Sequence, residues 1–138
     1  MRFVIVVCAF ALAAPAFASG SGAQLWTALG GKVTCGVAIH ASGTRARQLL
    51  CSARAVPAPK AKGIGDPGFV FLGSTGHPSL ARLSQDSFAG THAVALKSGS
   101  TWMVGSVGVT CAISTSAVRC KNGSHHGFTV AKSSYRAF

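Results

Sequence analysis

Acidic side chains are almost absent from this sequence. Its 138 residues include 13 Lys and Arg but only 2 Asp and Glu, so the formal net charge is +11 at pH 7. Asp66 and Asp86 are the only carboxylate side chains. The chain therefore cannot form an oxygen-rich calcium or magnesium cage, and a paired-carboxylate active site would require those two residues to meet. The scarcity excludes large groups of enzymes.

Charged residues of both signs are few, whereas apolar residues and glycine are frequent. Apolar residues make up 49% of the chain, charged residues 11%, and there are 17 glycines. This composition is too apolar for a disordered polyelectrolyte and too rich in glycine for a heptad coiled coil. Long segments with a 3.6-residue period are also missing. We therefore expect a mainly β, small antiparallel domain. The stretch 77–90 is ambiguous, because Leu80, Leu83 and Phe88 fit either one short helix or two short extended segments.

An apolar segment near Met1 has the pattern of a secretory signal peptide. Arg2 precedes an apolar run over Phe3–Leu12, and Ala16-Phe17-Ala18 forms a small-x-small cleavage site. The run is shorter than the roughly 20 residues that span a bilayer. The sequence predicts a signal peptide over residues 1–18, a single domain over 19–138, and a secreted product, extracellular or envelope-associated, with no transmembrane segment.

Four cysteines follow the predicted cleavage site, and an even number in a short exported chain indicates a disulfide framework. They are Cys35, Cys51, Cys111 and Cys120. Apolar and polar residues alternate along Val33–His40, which is typical of a half-buried strand. The segment Leu49–Ser52 can return beside it. One register places Cys35 opposite Cys51 and Val37 opposite Leu49, so that both sulfurs and the apolar side chains lie on one face.

The second cysteine pair has the same pattern. Alternate residues of Val107–Ile113 are apolar, and Cys111 opposite Cys120 places Ile113 opposite Val118. This register predicts a hairpin with a disulfide across its own strands. Pairing of each cysteine with a distant one stays open as the alternative. The two hairpins also have the features of a degenerate repeat.

Three further strand predictions follow from shorter patterns. Phe69–Leu72 is a short apolar strand, and Gly127–Ala131 is the last strand. Thr91–Lys97 and Thr101–Val104 form another hairpin, joined by the turn residues Ser98–Ser100.

Two segments of the first half, Gly31–Cys35 and Leu50–Ser52, and a longer motif in the second half carry a family resemblance. That motif comprises Trp102, Gly108–Cys111, Val118–Asn122, His126, Gly127, Phe128, Tyr135, Arg136 and Phe138. In these residues the chain resembles a family of small exported bacterial proteins, largely actinobacterial, of unknown function. His125 stands where the family has glycine, and a further cysteine pair of many members is missing. The resemblance implies a shared disulfide-stapled fold, with Trp102, Asn122, His126, Gly127, Phe128 and Tyr135 as structural residues, and implies no reaction.

Histidines are the remaining candidates for chemistry. Adjacent His125 and His126 point to opposite faces of an extended chain and rarely share a metal ion. We therefore predict no metal, no cofactor and no catalytic residue. We expect His126 to donate a ring hydrogen bond to a backbone carbonyl and to fix the last strand. The alternative is a small ribonuclease-like hydrolase that uses His126, with His40, His92 and His125 as the other available histidines and Lys121 near His125 and His126.

The excess positive charge falls into two groups. One surrounds the first hairpin, and Arg119 and Lys121 belong to the second group together with Lys132 and Arg136. The first group consists of Arg45, Arg47, Arg54, Lys60 and Lys62. With so few carboxylates to neutralise them, these residues create a positive electrostatic potential at the surface, which attracts anions. The sequence therefore predicts a non-enzymatic module that binds anionic envelope or extracellular polymers, or lipid headgroups, without specific nucleic-acid recognition.

Overall fold

Eleven β-strands lie in the part of the chain that the computed structural model describes. The structure describes residues 25–39, 47–57, 68–81 and 92–138. Several predictions lie outside these residues: the signal peptide over 1–18, residues 82–90 of the ambiguous stretch, His40, Arg45, Lys60 and Lys62. The described residues contain strands and no helix, so the expected mainly β fold is confirmed.

The first sheet has six strands and comes from the first two-thirds of the chain. Its spatial order is β5-β4-β3-β2-β1-β6. Strands β1 to β5 form an antiparallel meander, and β6 pairs with β1 in parallel. The strands are β1 (Leu25–Ala28), β2 (Val33–Ile39), β3 (Arg47–Ala53), β4 (Gly68–Leu72), β5 (Ser79–Ala81) and β6 (Ala93–Ala95).

The second sheet is an antiparallel meander of five strands, in the order β11-β10-β9-β8-β7. Its strands are β7 (Thr101–Val104), β8 (Val109–Ile113), β9 (Ala117–Asn122), β10 (Gly127–Ala131) and β11 (Tyr135–Ala137). Every neighbouring pair in this sheet is consecutive in sequence. Each pair of neighbouring strands in this sheet is therefore joined by a short connection.

Both predicted hairpin registers and both disulfides are confirmed. Cys35 lies opposite Cys51 on β2 and β3, and the two form a disulfide with a Cα–Cα distance of 4.1 Å. Cys111 and Cys120 do the same on β8 and β9, at a Cα–Cα distance of 4.0 Å. All four cysteines are fully buried. Each disulfide therefore joins neighbouring strands on the apolar side of its sheet.

The predicted hairpin of Thr91–Lys97 with Thr101–Val104 is wrong. The turn between them exists, since Gly99 has a φ of 86°, but the chain changes sheets there. Strand β6 pairs with β1 in the first sheet, and β7 pairs with β8 in the second. Two strands were also absent from the sequence prediction: β1 and β11.

The inner faces of the two sheets share one hydrophobic core. Trp26 of the first sheet and Trp102 of the second are both buried, and their ring centroids are 5.5 Å apart. Both disulfides, Val70 and Phe128 belong to the same cluster. The described strands therefore form a two-layer sandwich, with the tryptophan pair and the sulfurs at its centre.

The expected repeat extends beyond the hairpins to their tryptophans. Trp26 lies opposite Cys35 on the adjacent strand, and Trp102 lies opposite Cys111 in the same way. The tripeptide Val-Thr-Cys ends both segments, at Cys35 and at Cys111. In each sheet a strand with a tryptophan, a strand with the first cysteine and a strand with the second cysteine therefore lie side by side in the same order.

Candidate functional site

The predicted cationic residues that the structure describes occupy two kinds of position. Arg47 lies at the start of β3 and Arg54 in the turn after that strand, and both are exposed. Arg119 and Lys121 lie in the middle and near the end of β9, where they alternate with buried Val118 and Cys120. Arg119 and Lys121 therefore project from the outer face of the second sheet, away from the core.

Strand register extends this cationic surface across four strands. Arg119 lies opposite Thr129 of β10, and Thr129 lies opposite Arg136 of β11. Lys121 lies two residues further along β9, opposite Thr110 of β8. We call these five residues the cationic sheet face. Neighbouring strands are about 4.8 Å apart, so the backbones at Arg119 and Arg136 are separated by about 10 Å.

Arg119 is positioned by an aromatic ring. Its guanidinium carbon lies 4.3 Å from the centroid of the Phe138 ring. Phe138 and Gly127 exchange two backbone hydrogen bonds of 2.9 Å. A Cβ at Gly127 would clash with the Cys120 carbonyl oxygen and would lie 2.9 Å from the tip of the Phe138 ring. Glycine is therefore required at position 127 for the ring to lie beneath Arg119.

No carboxylate side chain neutralises this surface within the described residues, because Asp66 and Asp86 both fall outside them. Arg119, Lys121 and Arg136 are exposed. The first sheet differs on its corresponding outer face, where Leu50 and Phe69 are only 3% and 2% exposed. The cationic sheet face is therefore open to ligands, whereas that part of the first sheet is buried.

Asn122, which ends β9, connects the second sheet to the loop after β4. Its Nδ2 donates hydrogen bonds to the carbonyl oxygens of Gly73 and Gly76, at 3.1 and 2.8 Å. Its Oδ1 accepts from the backbone N–H groups of Ser124 and His126, both at 3.1 Å. Among the polar and charged residues that the structure describes, Asn122 is the one that is buried as a whole. Its position in the family-like motif thus has a structural cause.

His126 is fixed by its backbone, and its ring has a different environment from the one predicted. The carbonyl oxygen of His126 accepts a hydrogen bond from the N–H of Asn122 at 2.9 Å. The half-buried ring lies against the ring of His77, with centroids 3.6 Å apart. Imidazole stacking therefore takes the place of the ring-to-carbonyl hydrogen bond that the sequence predicted.

The other histidines that the structure describes are not assembled around His126. His92 is exposed just before β6, on the first sheet. His125 is exposed and has a φ of 65°, a left-handed conformation that favours glycine. His125 therefore occupies a position whose backbone conformation glycine adopts most easily.

Tyr135 is a half-buried residue of the same sheet. Its ring centroid is 6.3 Å from that of Phe128, which is completely buried. Burial raises the pKa of the Tyr135 phenol above its ordinary value. Tyr135 and Phe128 thus pack against each other.

Sequence reasoning did not identify Thr129 as part of this surface, or Phe138 as the ring beneath Arg119. Alternation along Tyr135–Phe138 places Arg136 and Phe138 on the same face of an extended chain, and this signal could have found Phe138.

The described residues contain no group of three or more His, Cys, Asp or Glu side chains that could hold a metal ion. Nor does this part of the chain include a helix long and apolar enough to cross a membrane. Comparison with known proteins gives no relatives: no family model, curated protein or solved structure matches the chain.

Proposed function

We propose that this protein is an exported, non-enzymatic module that binds anionic polymers of the cell envelope or extracellular space through its basic surface. The observation that carries the proposal is the cationic sheet face. Three exposed cations lie on it, and the described residues offer no carboxylate side chain to neutralise them. A surface with one sign of charge concentrates ligands of the opposite sign.

Export is supported by the disulfides and by the sequence of the first 18 residues. Disulfides persist in oxidising compartments and are rare in the cytosol. The two disulfides are intact, buried and part of the core. A secreted basic protein meets phosphorylated and carboxylated polymers before most other partners.

The backbone contacts of His126 support a structural role for this residue. Its N–H donates to Oδ1 of Asn122, and its carbonyl oxygen accepts from the N–H of Asn122, which fixes the chain just before β10. The contact with the His77 ring occupies a face of the imidazole and not the in-plane nitrogens that a general acid or base would use. The hydrolase alternative depends on that ring, so the same protein sample can test both.

The test is binding of the full chain to sodium polyphosphate over a range of salt concentrations, followed by calorimetry or fluorescence, with neutral dextran as the control. We expect the logarithm of the binding constant to fall linearly with the logarithm of the salt concentration. Absence of binding to any polyanion at low salt would overturn the proposal. Turnover of RNA with a bell-shaped pH profile, lost in His126→Ala, would replace it with the hydrolase.

A further inference from the structure

We propose that the cationic sheet face binds the phosphate groups of an extended phosphodiester polymer, which lies flat across β9, β10 and β11. The inference rests on the proposed function and adds a specific surface and a ligand chemistry to it. Its basis is the row formed by Arg119, Thr129 and Arg136, with Lys121 beside it.

The location follows from what the rest of the described surface offers. Three other exposed cations lie in turns: Lys32 after β1, Arg54 after β3 and Lys97 after β6. The register places these turns at one edge of the first sheet, so their cations lie on connecting loops and not on the face of a sheet. Arg119 and Arg136 lie on neighbouring parts of one rigid sheet, where a ligand can contact both with little loss of conformational entropy.

The ligand chemistry follows from the groups on the face. Stacking of Arg119 on the Phe138 ring uses the face of the guanidinium and leaves its N–H edges for a ligand. The Thr129 hydroxyl lies between two arginines and can donate a further hydrogen bond. A phosphodiester, like a carboxylate, has two charged oxygens, but these project from a tetrahedral phosphorus, and its two ester oxygens add weaker acceptors, so donors on neighbouring strands can each reach the group from a different side. The row therefore suits phosphate better than carboxylate.

The spacing favours a polymer over a single ion. Alternate residues of a strand are about 7 Å apart, so Arg119 and Lys121 are separated by that distance, and Arg136 is about 10 Å away across the sheet. With no carboxylate side chain among the described residues, these like charges repel one another. A chain with phosphates at intervals neutralises all three, whereas one phosphate reaches all of them only if their side chains converge.

The experiment compares two triple variants that lose the same charge. The face variant is Arg119→Ala, Lys121→Ala and Arg136→Ala. The control is Arg47→Ala, Arg54→Ala and Lys97→Ala, which removes exposed cations outside this face. Poly(glycerol phosphate) is the probe, and calorimetry gives its affinity at several salt concentrations.

We expect the face variant to lose at least about tenfold in affinity and its log–log salt slope to become shallower by about 2. The control variant should lose less than about threefold, because its cations contribute mainly at long range. Wild-type protein should bind poly(glycerol phosphate) more tightly than poly-glutamate of equal charge. Monomeric glycerol phosphate should compete only at far higher concentration.

Equal losses in the two triple variants would overturn the assignment of this face and leave general polyanion binding intact. Tighter binding to poly-glutamate, or to vesicles of anionic lipid, would overturn the assignment of a phosphodiester polymer. Failure of the wild type to bind any polyanion would instead overturn the proposed function. If the face variant does not fold, Lys121→Ala and Arg136→Ala tested singly against Arg54→Ala decide the question, since neither removes the Arg119–Phe138 stack.

Discussion

Replacement of Asn122 by alanine is the change that tests this structure most directly. The side chain is 5% exposed and joins the end of β9 to the loop after β4. Alanine would fit the same space but could neither donate to Gly73 and Gly76 nor accept from Ser124 and His126. Four backbone groups would lose their partner at once.

The expected loss of stability follows from the number and exposure of these bonds. An intramolecular hydrogen bond contributes a net free energy of about 0.5–1.5 kcal/mol. The sum over the four bonds is an upper limit to the loss of stability. Water can reach the exposed residues Gly76 and Ser124 and can replace some of the lost hydrogen bonds there. We expect Asn122→Ala to lower the free energy of unfolding by about 2–3 kcal/mol. The melting temperature of a domain of this size would fall by about 10 °C.

Urea denaturation under oxidising conditions, followed by circular dichroism, measures this change with both disulfides intact. Ser124→Ala is the matched control. Ser124 bonds to Asn122 through its backbone N–H, so its substitution should change stability by less than about 0.5 kcal/mol. Asn122→Asp should be at least as destabilising as alanine, because a carboxylate oxygen would face the Gly73 and Gly76 carbonyls. Wild-type stability in Asn122→Ala would refute the reasoning.

Three further measurements address the histidines, the tyrosine and the core. In thermal melts, His126→Ala should lower the free energy of unfolding by about 0.5–1.5 kcal/mol, because alanine keeps the backbone hydrogen bonds and loses only the contact with the His77 ring. His125→Gly should raise the free energy of unfolding by up to about 1 kcal/mol, because glycine adopts the positive φ of this position without strain. Because burial raises the pKa of Tyr135, the unfolded state releases the phenolic proton first. Stability should therefore fall as the pH rises above roughly 10, and less steeply in Tyr135→Phe. The near contact of Trp26 and Trp102 should give an exciton-coupled circular dichroism band that either Trp→Phe variant removes; survival of the band in both would contradict the packing of the sheets.

The hairpin registers were predictable because two signals agree in each. Alternation of apolar residues fixes which face of a strand is buried, and a cross-strand disulfide requires both cysteines on that face. In the second hairpin, Cys111 opposite Cys120 also places Ile113 opposite Val118, as the structure has them. Local pattern alone was therefore sufficient for β2, β3, β8 and β9.

The assignment of strands to sheets was not predictable in the same way. Ser98–Ser100 has the composition of a hairpin turn, and a turn is present, but composition does not specify which partner each flanking strand takes. Strand β6 instead pairs with β1, which precedes it by more than 60 residues. The hydrogen bonds of Asn122 to Gly73 and Gly76 also join residues far apart in sequence, at separations of 49 and 46 residues. No local pattern contains such contacts.

The repeated framework explains how one sandwich has two different outer faces. Trp26 and Trp102 are equivalent, as are the cysteine pairs, so the inner faces of both sheets keep the same buried groups. The outer positions differ. The residues on either side of Cys51 are Leu50 and Ser52, and those on either side of Cys120 are Arg119 and Lys121.

The two outer faces differ in how deeply their side chains are buried. Leu50 is buried together with Phe69 and Phe71 in a second apolar cluster, so a charge at that position would have to be buried without a partner. Arg119 occupies the equivalent position in the second sheet and is exposed. The first sheet therefore packs on both of its faces, whereas the second sheet is buried on its inner face and exposes Arg119 and Lys121 on its outer face.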